Sequence, residues 1–222
     1  MMKITKKFVT KLLSVVDQGL VKGIGEPIPG KMCVEAAVCY AQGLPHNDKP
    51  TCVGSTVRSF KIKLNDADWS SNAARAAGMR KLAVAQLGSD SIDQLEFAKI
   101  MVEQTIRRIV PVVMRNAANT VPEHAEEFNN AAKDCEELGD LNAILTAERL
   151  TRHNNIYGLV NRCAYAAGCV NYHPSLAVNE LVNGVIHISD LDNSELFTIA
   201  DIGLQALIQL NSPGCKYLTL CD

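Results

Sequence analysis

No stretch of this 222-residue chain approaches the roughly 18 consecutive apolar residues of a membrane-crossing helix, so no spanning segment is expected. Apolar runs in the first twenty residues are only two or three long, far short of the core of a secretory leader. Charge of one sign is also missing. Twenty-two basic against 24 acidic residues leave a net charge of -2, whereas a dedicated nucleic-acid binder carries a basic excess. No global field gathers a polyanion, so the sequence carries no strong nucleic-acid signal beyond what local basic patches allow. Strand patterning is scarce: Phe60, Ile62 and Leu64 alternate, but Val53, Val57, Phe60 and Leu64 recur at helical spacing, and the helical reading is preferred.

What is present describes an ordinary globular protein. The chain is 47% apolar and 21% charged, which matches an ordinary folded protein and not a disordered one, and its length allows one large core or two small ones. Eight cysteines would suggest a disulfide framework in a short secreted chain. Without a leader, and with a core large enough to stand on packing, they are expected to be reduced thiols in a cytoplasm.

Helix signals punctuate the chain. Between Lys3 and Gln18, the residues Ile4, Phe8, Val9, Leu12, Leu13, Val15 and Val16 share one half of a helical wheel, and Lys3, Lys6, Lys7 and Lys11 lie on the other. This predicts a terminal helix docked on the core; peripheral membrane contact through its lysines is not expected, since no boundary Trp and no purely cationic face accompany them. Gly19 to Gly30 reads as a loop, and a helix beginning at Cys33 stops at Gly43 before Pro45. Further helices are expected over Val53–Leu64, Ala73–Leu87, a long segment from Asp93 kinked at Pro111, a restart at Pro122, Asp140 to Gly168 with a weak point at Gly158, Leu176–Ile188, and Asn193–Leu210. The sum is an all-α bundle of eight or nine helices, read as a single domain over 1–222 with a possible subdivision into 1–120 and 121–222.

Three cysteine pairs share one spacing: Cys33 with Cys39, Cys163 with Cys169, and Cys215 with Cys221. Residues six apart on a helix are rotated by about 240 degrees, so the first two pairs cannot both face one ion, and no metal or cofactor is expected. Gly23-Ile24-Gly25 resembles the start of a phosphate-binding fingerprint but follows no strand. The sharpest chemical candidate is Cys33, at a helix start where amide dipoles can stabilise a thiolate, with His46 or His173 as base and Asp48, Glu35 or Asn47 as orienting group. An inert core cysteine occupies the same kind of position.

A second candidate is a binding surface made of Arg58, Lys61, Asp66, Asp68, Trp69 and Arg75, accompanied by Lys63, Asn65, Ser70 and Asn72. Trp69 is the sole tryptophan and sits in a polar capping stretch, where it serves either as a partner anchor or as a staple fixing the direction of the helix that follows.

The segments Gly30-Lys31-Met32-Cys33-Val34-Glu35-Ala36-Ala37-Val38-Cys39-Tyr40-Ala41, Leu64-Asn65-Asp66-Ala67-Asp68-Trp69-Ser70-Ser71 and Ser212-Pro213-Gly214-Cys215 resemble those of a group of uncharacterised bacterial and phage proteins. The resemblance spans most of the chain, is weakest from Asp134 to Gly168, and implies a microbial or viral origin without an activity. The expected function is therefore a non-catalytic helical binding protein, acting as a homo-oligomer or on another macromolecule in the cytoplasm (the host's, if phage-encoded). The alternative is a cysteine-dependent hydrolase or transferase using Cys33.

Overall fold

A computed structural model describes residues 3–154, 158–188 and 193–222. Among them are eleven α-helices and no β-strand: α1 (Lys6–Val16), α2 (Val34–Gln42), α3 (Ser55–Asn65), α4 (Asn72–Ala85), α5 (Gln94–Arg108), α6 (Val110–Thr120), α7 (Ala125–Leu138), α8 (Leu141–His153), α9 (Leu159–Cys169), α10 (Pro174–Ile186) and α11 (Ser194–Gln209). The all-α expectation holds, and the count of eight or nine is corrected to eleven at two points. The segment from Asp93 is two helices: the backbone turns at Ile109, and Pro111 falls in the first turn of α6, where an amide hydrogen has no intrahelical partner to lose. The stretch from Asp140 divides into α8 and α9, with Gly158 at the N-cap of α9; residues 155–157 lie outside the described set.

The caps follow from short polar side chains. Thr5 Oγ1 accepts from Phe8 N (3.2 Å), Ser71 Oγ from Ala74 N (3.0 Å), Asp93 Oδ1 from Leu95 N and Glu96 N (2.9 and 3.0 Å), and Asp140 Oδ1 from Ala143 N (2.9 Å). The C-terminal stretch is a 3-10 helix over Pro213–Leu220 laid on α4 and α1, where Ser212 Oγ donates to Ala85 O (2.6 Å) and Tyr217 OH to Ile4 O (2.8 Å).

One buried apolar cluster runs from Ile4 to Leu207. Helix α5 passes through it, touching α3, α6, α7, α9, α10 and α11, while α1, α2 and α4 close one end. Val9, Leu12, Leu13, Val15 and Val16 of α1 are buried there, so its apolar face is covered by the core. No helix among the described residues is long and apolar enough to cross a membrane. That packing fixes the end of the bundle where α2, α3 and α4 meet and where the chain's distinctive segments come together.

Candidate functional site

The loop between α1 and α2 is short of regular structure but not of hydrogen bonds. Val21 N donates to Met32 O (3.1 Å), Cys33 N to Ile24 O (3.2 Å), Lys31 N to Ile28 O (2.9 Å) and Glu26 N to Lys31 O (2.6 Å), around an isolated antiparallel bridge between Gly25 and Met32. Gly25 is required: its φ is +69° and a Cβ there would meet Lys31 O at 2.1 Å. Residues 22–28 are all exposed, and among them Ile24 and Ile28 keep 43% and 46% of their surface in water. A loop whose backbone is tied at each side yet holds out two isoleucines is a pre-ordered apolar tip.

The tie comes from the segment after α3. Buried Asn65 accepts from Val34 N through Oδ1 (3.2 Å) and donates through Nδ2 to Val21 O (2.9 Å) and Asp66 Oδ1 (3.0 Å). Asp66 Oδ1 also accepts from Gly23 N (2.8 Å), and Asp68 pairs with Lys22 at 2.7 Å. Arg75, also buried, gives its guanidinium to carbonyls: Asn65 O (2.7 Å), Leu20 O (3.3 Å) and Ala67 O (3.3 Å), plus Asn72 Oδ1 (2.6 Å). From the other side, His46 Nε2 donates to Gly25 O at 3.1 Å. Thus Asp66, Asp68, Arg75 and His46 converge on the loop.

The expectation of one exposed surface through Arg58, Lys61, Asp66, Asp68, Trp69 and Arg75 is corrected, because Lys61, Trp69 and Arg75 are buried and only Asp68 is fully exposed. Trp69 meets Phe197 edge-on at 5.2 Å, donates Nε1–H to Leu64 O (2.9 Å) and lays its ring against Gly78 in the helix it precedes, so it packs between α4 and α11 instead of standing free. Arg58 is half-buried on α3, and its charge favours the ionised form of Glu35.

Cys33 is the N-cap of α2, where its Sγ accepts from Ala36 N at 3.3 Å. Burial nevertheless pushes its thiol up to about 11, outweighing the help of the helix amides, so a thiolate is scarce at neutral pH. Its hydrogen bond goes to the helix and that of His46 goes to the loop carbonyl; nucleophile and base are committed to different partners. All eight thiols are free, and burial likewise lifts Cys39, Cys52, Cys135 and Cys215 to about 12, 11, 12 and 11. No group of three or more His, Cys, Asp or Glu side chains among the described residues is placed to hold a metal ion.

Beneath the loop lies an ion pair. Glu35, in the first turn of α2, and Lys61, on α3, are both completely buried with Nζ and Oε1 3.8 Å apart. Burial pushes the carboxyl up, opposed by Lys61 and then Arg58, and pushes the amine down, opposed by Glu35. Asp48 adds a repulsive charge to Glu35, and Cys33, Cys39 and Cys52 all sense it.

Ile24, Ile28 and the Glu35–Lys61 pair were missed as features by sequence reasoning, although signals existed. Two isoleucines inside a Gly- and Pro-rich turn are out of place for a solvent loop, and Lys61 follows Val57 by four and precedes Leu64 by three, on the apolar face of α3. In comparisons with known proteins, no protein-family model, no curated protein and no solved structure matches the chain.

Proposed function

We propose that this chain is a non-catalytic binding protein that docks another protein, a second copy of itself included, through the 19–32 loop. The observation that carries the reading is the exposure of Ile24 and Ile28 on a backbone braced by Asn65, Asp66, Arg75 and His46. Apolar side chains left in water on an ordered loop gain little from folding but are covered when a partner docks, and pre-ordering lowers the entropy lost on docking. Lys22, Glu26, Lys31 and Asp68 surround the tip with both signs of charge, the polar rim of a docking surface. Eight free thiols fit a reducing cytoplasm, microbial or that of a phage-infected host.

The test is a photo-crosslinking amino acid at Ile28, with Val112 on α6 as an equally exposed control, in the cells that make the protein and in the pure protein. A discrete protein adduct at Ile28 that is absent at Val112 is the expected result. Equal labelling at both positions, or none at Ile28, overturns the docking role. The alternative reading, a hydrolase or transferase using Cys33, is supported by the helix-cap position of the thiol and opposed by its burial. Labelling of Cys33 by iodoacetamide below pH 7 in the folded protein would favour it.

A further inference from the structure

The polar atoms under the loop are not satisfied by the protein. Glu35 Oε1 and Oε2, Lys61 Nζ, and Gln86 Nε2 and Oε1 are buried with no hydrogen-bond partner. The 3.8 Å between Nζ and Oε1 is too long for a direct hydrogen bond, and Gln86, at the C-cap of α4, lies close enough to favour the ionised carboxylate without reaching bonding geometry. Three helices therefore bring unpaired donors and acceptors to one junction. A buried pair is held at a net cost unless its remaining lone pairs and protons are also bonded.

The chemistry of the lining selects the occupant. A cation that suits Glu35 is repelled by Lys61, and an anion that suits Lys61 is repelled by Glu35. A neutral molecule that both donates and accepts satisfies the carboxylate, the ammonium and the amide together, and complete burial limits it to the smallest such molecule. We infer that the junction of α2, α3 and α4 is an internal water site, in which at least one water molecule bridges the Glu35 carboxylate, the Lys61 ammonium and the Gln86 amide. Five unpartnered atoms exceed the two to four contacts that a buried water makes, and one such water per about 27 residues is ordinary for a globular protein. The water fastens the first turn of α2, two residues after the loop ends at Cys33, to α3 and to the end of α4. It stands independently of any docking role for the loop.

Two measurements on the intact protein test it. In a crystal structure fine enough to show ordered water, density within hydrogen-bonding distance of Lys61 Nζ and of a Glu35 oxygen is expected. Direct contact of Nζ with the carboxylate and no density between the three side chains overturns the site. Oxygen-17 relaxation dispersion in solution is expected to report a long-lived internal water whose amplitude falls in the Glu35→Leu/Lys61→Met variant. An unchanged amplitude in a folded variant contradicts the assignment, and if that variant does not fold, the density in the native crystal decides.

Discussion

Two polar centres flank Cys33, and they are built on opposite terms. On the loop side, Asn65 bonds Val34, Val21 and Asp66, while Arg75 reaches three carbonyls and Asn72. On the core side, Glu35, Lys61 and Gln86 are as deeply buried, yet five of their polar atoms make no hydrogen bond to the protein. Burial alone therefore does not say what a polar group contributes. A saturated network specifies one backbone path and is damaged by any deletion; an unsaturated one is a cost that apolar replacement can remove.

Breaking the core centre on one side should have the largest effect. Lys61→Met leaves Glu35 facing an apolar wall, and a loss of about 4 kcal/mol in urea unfolding at pH 8 is expected, the scale for an orphaned buried charge. A loss under about 1 kcal/mol would mean that Glu35 is already neutral there. Next comes the loop centre: Asn65→Ala strands Val34 N and Val21 O, for an expected loss of about 3 kcal/mol.

Removing both charges should act in the opposite direction. Glu35→Leu/Lys61→Met is expected to unfold at equal or higher urea than the parent, by up to about 2 kcal/mol. The gain depends on pH with a definite sign. The Glu35 carboxyl rises from 4.5 to about 7 on folding, so its contribution is fully present below 4.5 and lost as the pH climbs to 7. The Lys61 amine falls from 10.5 to about 8, so the unfolded chain binds the extra proton between 8 and 10.5 and stability recovers across that window. The advantage of the double variant is therefore expected to be greatest between about pH 7 and 8; a gain that is flat from pH 5 to 10 would place the titration elsewhere. Smallest in stability is the loop tip. Ile24→Asp/Ile28→Asp should change unfolding by no more than about 0.5 kcal/mol, because both side chains are exposed, while abolishing the Ile28-dependent adduct.

How much of this was legible in the sequence depended on the range of the interaction. Helix ends were written locally: Ser71, Asp93 and Asp140 cap helices because their oxygens reach amides two or three residues on, and Gly43 and Gly139 close helices at positive φ. Pro111 was noticed but misplaced, since whether a proline kinks a helix or begins one depends on packing around Ile109. The candidate site was half visible. Asp66, Asp68, Arg75 and His46 belong to the part of the chain that matters, but their partners Gly23, Lys22, Leu20 and Gly25 lie 21 to 55 residues away, beyond any spacing rule. Lys61 was placed on a binding surface on the strength of its charge, although its helical phase with Val57 and Leu64 pointed inward.

Docking through the loop requires that the segment after α3 hold it in one conformation, and amide hydrogen exchange tests that most directly. In the native protein the amides of Val21, Gly23, Glu26, Lys31 and Cys33, each bonded to a named acceptor, are expected to exchange far more slowly than unprotected amides, and to accelerate in Asn65→Ala while the α5 amides stay protected. Exchange of those five amides at unprotected rates in the native protein, with α5 protected, would show an unbraced loop and contradict the account.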